Sequence, residues 1–181
     1  MLAGAGRSTV KNLFLSSRFF STMERKTMIG VNILLIKDNK ILLGQRLNSI
    51  QALTWGAPAG RLECGETLID CARREAKEET GLELTRAELL TSVTGVFKEL
   101  NIPYRSYFVL GTYEHGEPRT IEPHKCREWQ WFDLTKLPSP LFDPIQNWLD
   151  NHADIQSLLN LSKEIPHDGH VEQPTQMTTL R

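Results

Sequence analysis

Between Thr27 and about Asp150 the chain alternates short apolar runs with turn signals, the texture of strands and helices folded on one core. Met28 to Ile36 (MIGVNILLI) is almost continuously apolar and reads as a strand. Asp38-Asn39 reads as a hairpin turn and Lys40 to Arg46 as the returning strand, a pair expected to frame one edge of the core. After a polar loop, Leu68, Ala72 and Ala76 recur at helical spacing. Thr67 can cap with Asp70 three residues on, and Gly81 supplies a left-handed stop, so Thr67 to Thr80 is predicted helical. Leu89 to Phe97 and Tyr104 to Tyr113 predict two more strands, Glu128 to Phe132 a short one, and Leu141 to Asn151 a closing helix. Strands and helices mix without strict βαβ alternation. From Ser162 to Arg181 the sequence is polar and interrupted by Pro166, Gly169 and Pro174, so residues 151–181 are expected to form a largely disordered extension. There is no internal repeat.

Composition narrows the possibilities. The length of 181 residues suits one domain with tails, and a net charge of −1 with 40% hydrophobic residues suits a folded core rather than a disordered or strongly basic chain. Generic binding to long nucleic acid is not expected. The longest aliphatic run, Ile33 to Ile36, falls far short of the roughly 18 residues that would span a bilayer, so no membrane partner is expected. Cys64, Cys71 and Cys126 are odd in number and lack zinc-knuckle spacing, which implies reduced thiols in an intracellular compartment. The charge is uneven: Arg7, Lys11 and Arg18 stand in the first 23 residues with six Ser or Thr and no acid, leaving −4 for residues 24–181. On a helix the three cations share one face beside Val10, Leu13, Phe14 and Phe20, the pattern of a mitochondrial transit peptide. The competing readings are a flexible leader, or translation from Met23 or Met28 of a cytoplasmic protein. Residues 1–26 are therefore assigned to a leader and 27–150 to the domain.

The candidate chemistry lies in an acidic stretch. Gly60-Arg61-Leu62-Glu63-Cys64-Gly65-Glu66 is followed, after seven residues, by Arg74-Glu75-Ala76-Lys77-Glu78-Glu79-Thr80-Gly81-Leu82. On the predicted helix Glu75, Glu78 and Glu79 stand at i, i+3 and i+4, so three carboxylates project from one face. Such crowding is tolerable when a hard divalent cation neutralises it, and carboxylate oxygens are the ligands Mg²⁺ or Mn²⁺ prefers. Arg74 can buffer part of the charge and orient a ligand, and the glycines at 56, 60 and 65 with Pro58 can fold Glu66 against the helix. A casual Glu-Glu pair would read as a solvated helix face. The fixed spacing of all these groups argues for a site instead.

The pattern Gly-x5-Glu-x7-Arg-Glu-Ala-x-Glu-Glu-x-Gly-Leu, from Gly60 to Leu82, resembles the box of the Nudix hydrolases at every specified position. The resemblance implies an α/β/α sandwich with a mixed sheet, divalent-metal dependence, and hydrolysis of a nucleoside diphosphate linked to another group. It assigns Glu75, Glu78 and Glu79 as metal ligands, Glu66 as support for the metal cluster, and Arg74 as the group that orients them. A glutamate serves as general base: Glu75, Glu79, or a carboxylate outside the box, for which Glu122 is preferred over Glu128. Ala59 departs from the family, which commonly has glycine there, and leaves the path of that loop open.

Past the box, Val96-Phe97-Lys98-Glu99 lacks the proline of ADP-ribose hydrolases and the tyrosine of dinucleoside polyphosphate hydrolases, and the NADH-type signature is missing. The segment from Glu122 through Trp129 and Phe132 to Phe142 resembles small MutT-related nucleoside triphosphate pyrophosphohydrolases. That likeness implies a (deoxy)nucleoside triphosphate, oxidised purines included, split to monophosphate and pyrophosphate. Leu42 to Asn48 resembles the matching part of GDP-mannose hydrolases and keeps a nucleotide-sugar substrate as the alternative, with a non-catalytic nucleotide sensor as a second. Arg46 and Gly60 are candidate substrate contacts, with Phe97, Trp129 or Phe142 for stacking on a base. For these aromatics a core position is the competing assignment. His115 and His124 lack metal-ligand partners at useful spacing, Cys64 receives no role, and homodimerisation is left open. A fusion of Met1 to Met23 to a fluorescent protein is expected to enter mitochondria in a cell-import assay; a diffuse cytosolic signal removes the transit-peptide reading.

Overall fold

A computed structural model describes residues 26–47, 50–151 and 155–164. The leader assigned to residues 1–26 and the tail beyond Glu164 lie almost wholly outside these described residues. Strand β1 (Met28–Lys37) and β2 (Lys40–Arg46) are joined by Asp38 and Asn39 at φ 50° and 61°. Two left-handed residues in succession give the turn whose twist matches a hairpin, and Asp and Asn tolerate it best after glycine. Short strands β3 (Trp55–Gly56) and β4 (Ala59–Arg61) follow. Then come helix α1 (Leu68–Thr80), the long strands β5 (Arg86–Phe97) and β6 (Ile102–Thr112), β7 (Cys126–Asp133), and helices α2 (Asp143–Asn151) and α3 (Ile155–Glu164). The Thr67 side chain accepts from the Asp70 N–H, and Gly81 closes α1 at φ 77°. Among the described residues no helix is long and apolar enough to cross a membrane.

The sheet is mixed, in the order β3-β2-β1-β6-β5, with β4 added to β1 and β7 to β2. β1 is central rather than marginal: it runs parallel to β6 from Met28↔Tyr104 to Leu35↔Gly111. That corrects the expected edge hairpin, and it explains the apolar run, because a strand covered on both faces needs no polar alternation. Val31, Ile33 and Leu35 face α1 with Cys71, Ala72, Leu82 and Val109. Leu34 and Ile36 face the other way, toward Phe108, Ile145, Trp148 and Leu158. The result is the expected α/β/α sandwich, α1 on one face and α2 with α3 on the other.

The hairpin strands part after only Lys37↔Lys40 and Ile36↔Ile41. Into the gap the chain lays β4 against Gly30, Val31 and Asn32 of β1, and β3 against Gly44 and Gln45 of β2. The Ile33 N–H donates to the Pro58 carbonyl at 2.8 Å, so the segment between them is also held. A stretch expected as loop is thus partly sheet, and its backbone is fixed where the site will be built. The C-terminal extension differs from expectation too. Ile155–Glu164 is helical because Leu158, 3% exposed, completes the core beside Trp148. Leu158→Ala is expected to cost about 2–4 kcal/mol in urea unfolding; a loss below about 0.5 kcal/mol, the size of an ordinary surface change, would mean α3 is no part of the core.

Candidate active site

Helix α1 presents its carboxylates toward the β4 segment. A Cβ built on Gly60 would overlap the Glu75 carboxylate, so only glycine lets the backbone lie against it. Next to it the Ala59 N–H donates to Glu79 Oε2 at 2.9 Å. Ala59 is absent from the residues with positive φ, so this position needs no glycine and the departure from the family pattern is harmless to the loop.

Arg74 sorts the acidic cluster. Its Nε and Nη2 donate to the two oxygens of Glu66 at 2.8 and 3.0 Å, and Glu66 Oε2 also accepts from the Glu63 N–H at 3.0 Å. The bond from Arg74 pulls the Glu66 carboxyl down to about 2. Both oxygens of Glu66 are therefore engaged, and it anchors Arg74. Arg74 Nη1 reaches Glu75 at 2.6 Å and Glu78 at 3.2 Å. Glu78 is largely exposed and does not line the cavity that holds Glu75 and Glu79.

Glu75 and Glu79 lie deeper. Burial raises both above the ordinary carboxylate range, Glu79 to about 7, with the charges of Glu75 and Glu122 adding to the rise and Ala59 and Arg46 opposing it. The C-terminal turn of α1 is tied down from outside the box. The Glu79 carbonyl accepts from Trp129 Nε1–H at 3.1 Å and from the Ile121 N–H at 3.3 Å, and Thr80 accepts from the Arg119 N–H at 2.9 Å. These bonds bring Glu122 beside the helix end, paired with Lys125 Nζ at 2.8 Å. Glu122 is half-buried and Glu128 exposed on β7, and neither lines either cavity. Trp129, a stacking candidate, instead anchors the Glu79 backbone.

Two cavities meet here. One, of about 390 Å³, holds Glu75, Glu79, Lys125 and Trp129. The other, of about 430 Å³, is lined by Asn32, Phe97, Tyr104, Ser106 and Phe142 among others. Arg46, Ala59, Gly60 and Arg61 belong to both. Arg46 lies over the Phe142 ring at 4.0 Å, its Nε buried without a partner among the described residues; burial lowers its pKa. Phe97, 4% exposed, packs on Tyr104 and Phe142 at centroid distances of 4.5 and 5.6 Å. It is a wall of the cavity and a core residue at once, not an open stacking platform. His115, His124 and Cys64 are exposed and lie in neither cavity. Sequence reasoning missed Lys125 and Asn32. A signal existed for Asn32, a lone amide inside an aliphatic run, whereas nothing local marks Lys125.

Among the described residues no three His, Cys, Asp or Glu side chains already converge as a closed metal cage. A small hard cation needs less, since Mg²⁺ is held by one or two carboxylates with waters and substrate phosphate oxygens. Glu75 and Glu79 are a hard-oxygen pair in one cavity whose mutual repulsion a cation would relieve, so the donor set fits.

Comparison with known proteins shows the family. The NUDIX domain pattern matches residues 26–152. The chain belongs to the Nudix family of hydrolases, whose members generally use divalent metal ions. It is 35% identical over 120 residues to an ADP-ribose pyrophosphatase of Methanocaldococcus jannaschii, covering 64% of this chain and 67% of that protein. It is 31% identical over 120 residues to an oxidized purine nucleoside triphosphate hydrolase of Danio rerio, covering 66% and 71%. The crystal structure of a MutT NUDIX hydrolase from Burkholderia pseudomallei superposes with a TM-score of 0.66 at 30% identity, covering 71% of this chain and 99% of that one. Gly60→Ala is expected to leave the melting temperature within a few degrees while cutting turnover of the best nucleotide substrate by about 100-fold, because the added methyl displaces the Glu75 carboxylate. Wild-type turnover in that variant would remove the cradle from the mechanism.

Proposed function

We propose that the chain is a Mg²⁺-dependent pyrophosphohydrolase, with Mn²⁺ as a substitute, that splits a (deoxy)nucleoside triphosphate, oxidised purine forms included, into monophosphate and pyrophosphate. The observation that carries this reading is the pairing of an aromatic-walled cavity large enough for a base with an acidic one suited to metal and phosphate, joined at Arg46 and Gly60. Arg46, stacked on Phe142 with an unused Nε–H, bridges the two and can donate to a phosphate oxygen. Lys125 and Arg61 supply further positive charge around the phosphate chain. A bound cation would withdraw charge from phosphorus and lower the pKa of its water. Glu75 or Glu79 takes the proton as water attacks phosphorus, the bridging P–O bond breaks, and pyrophosphate departs. Arg74, fixed by Glu66, keeps Glu75 in place through these changes of charge.

A second reading, a nucleoside diphosphate sugar as substrate, is favoured by the 35% identity to an ADP-ribose pyrophosphatase. A panel of NTPs, dNTPs, oxidised dNTPs and nucleotide sugars, with products identified, separates the two. Pyrophosphate release from at least one triphosphate is expected with Mg²⁺ and none with EDTA. Glu79→Gln or Glu75→Gln should lower kcat by on the order of 10²- to 10⁴-fold without unfolding the domain. No turnover anywhere in the panel sinks the proposal, and faster turnover of a nucleotide sugar than of any triphosphate moves it to the second reading.

A further inference from the structure

Besides Arg46, the aromatic-walled cavity contains a second polar group whose hydrogen bonding is incomplete among the described residues. Asn32 is 2% exposed in the middle of β1, between Val31 and Ile33. Its Nδ2 faces the Tyr107 carbonyl at 3.4 Å. A carbonyl only accepts, so nitrogen must be the amide atom on that side, and the oxygen is turned away from it. Oδ1 is buried and has no partner among the described residues. Leaving a buried acceptor unpaired opposes folding, and the neighbours on the same strand are valine and isoleucine.

The sheet register shows where this side chain stands. Gly30 pairs with Ser106, Met28 with Tyr104 and Asn32 with Phe108, so these residues share one face of the sheet. Most of that face is core, but Met28, Gly30, Asn32, Tyr104 and Ser106 line the cavity, with Phe97 and Phe142 beside them. An apolar slot with very few placed polar groups is how small planar ligands are oriented.

We propose that Asn32 Oδ1 reads the nucleobase: it accepts a hydrogen bond from an N–H on the edge of a base seated in this cavity, and so sets which bases are taken. The inference deepens the nucleotide reading above and rests on it. A base that offers only ring-nitrogen acceptors would set two lone pairs against each other, both cut off from water, and is rejected.

The test is calorimetric binding to the full chain of AMP, GMP, CMP and UMP and of two analogues whose bases carry no N–H, the monophosphates of purine riboside and of 2-pyrimidinone riboside. The tightest natural nucleotide should bind at least about tenfold more tightly than its donorless counterpart. Asn32→Leu should shrink that ratio to within about twofold, by weakening the natural nucleotide and relieving the clash with the analogue. Asn32→Ala, which also lacks the acceptor, should shrink the ratio likewise, and this holds as the test if the leucine variant does not fold. Equal wild-type binding of nucleotide and analogue overturns the assignment, as does an equal loss for both in Asn32→Leu, the mark of a structural role. Pyrophosphate release from the matching triphosphates is followed in parallel. Discrimination in binding with no triphosphate turned over supports Asn32 and overturns the pyrophosphohydrolase reading; turnover without discrimination overturns Asn32 alone.

Discussion

The structure around the site depends on one close approach, that of the Ala59-Gly60 backbone to the Glu75 and Glu79 carboxylates of α1. Carboxylates that lose solvent need hydrogen-bond donors or cations in its place. Here a backbone N–H meets Glu79, and the missing side chain at Gly60 lets Glu75 sit on the main chain. For the backbone to be there, the β1–β2 hairpin has to open after two residue pairs and accept β3 and β4 into the gap. The splayed sheet and the geometry of the candidate site are therefore the same feature seen at two scales.

The charge economy follows from that arrangement. The candidate carboxylates do not act alike. Arg74 engages both oxygens of Glu66 and reaches Glu75 and Glu78 through Nη1, while Glu75 and Glu79 line the cavity with Glu122 near. Desolvation and like charge raise the proton affinity of the inner pair, whereas the guanidinium lowers that of Glu66. The net acidity of residues 24–181 is thus no barrier to an anionic substrate, because its buried part is where a cation would reverse the local field.

The opposite face of the sheet serves two purposes. Phe97, Tyr104 and Phe142 pack on one another in the core that α2 and α3 complete, and the same rings line the larger cavity. Asn147 of α2 reinforces this by donating to the Tyr104 hydroxyl at 3.1 Å and the Thr94 carbonyl at 3.0 Å. A ligand pocket whose walls are core residues keeps its shape without a ligand, which favours binding by reducing the ordering cost.

Much of this was legible in the sequence where the physics is local. The Asp38-Asn39 turn, the Thr67 cap, the Gly81 stop and the buried stripe of α1 depend on residues within a few positions of one another, and the spacing of the acidic cluster alone placed its chemistry on one helix face. Conformation at these points is decided by φ, by capping bonds and by side-chain period. Other features needed distant segments to meet. That β1 is central, that α3 closes the core through Leu158, that Glu66 is held by Arg74, and that Lys125, paired with Glu122, shares a cavity with Glu79 are outcomes of packing between segments brought together by the fold. Which groups could do chemistry follows from residue type and short spacing; which of them lose water and face one another follows from the fold, because burial and Coulomb energy depend on distances that the chain order does not contain.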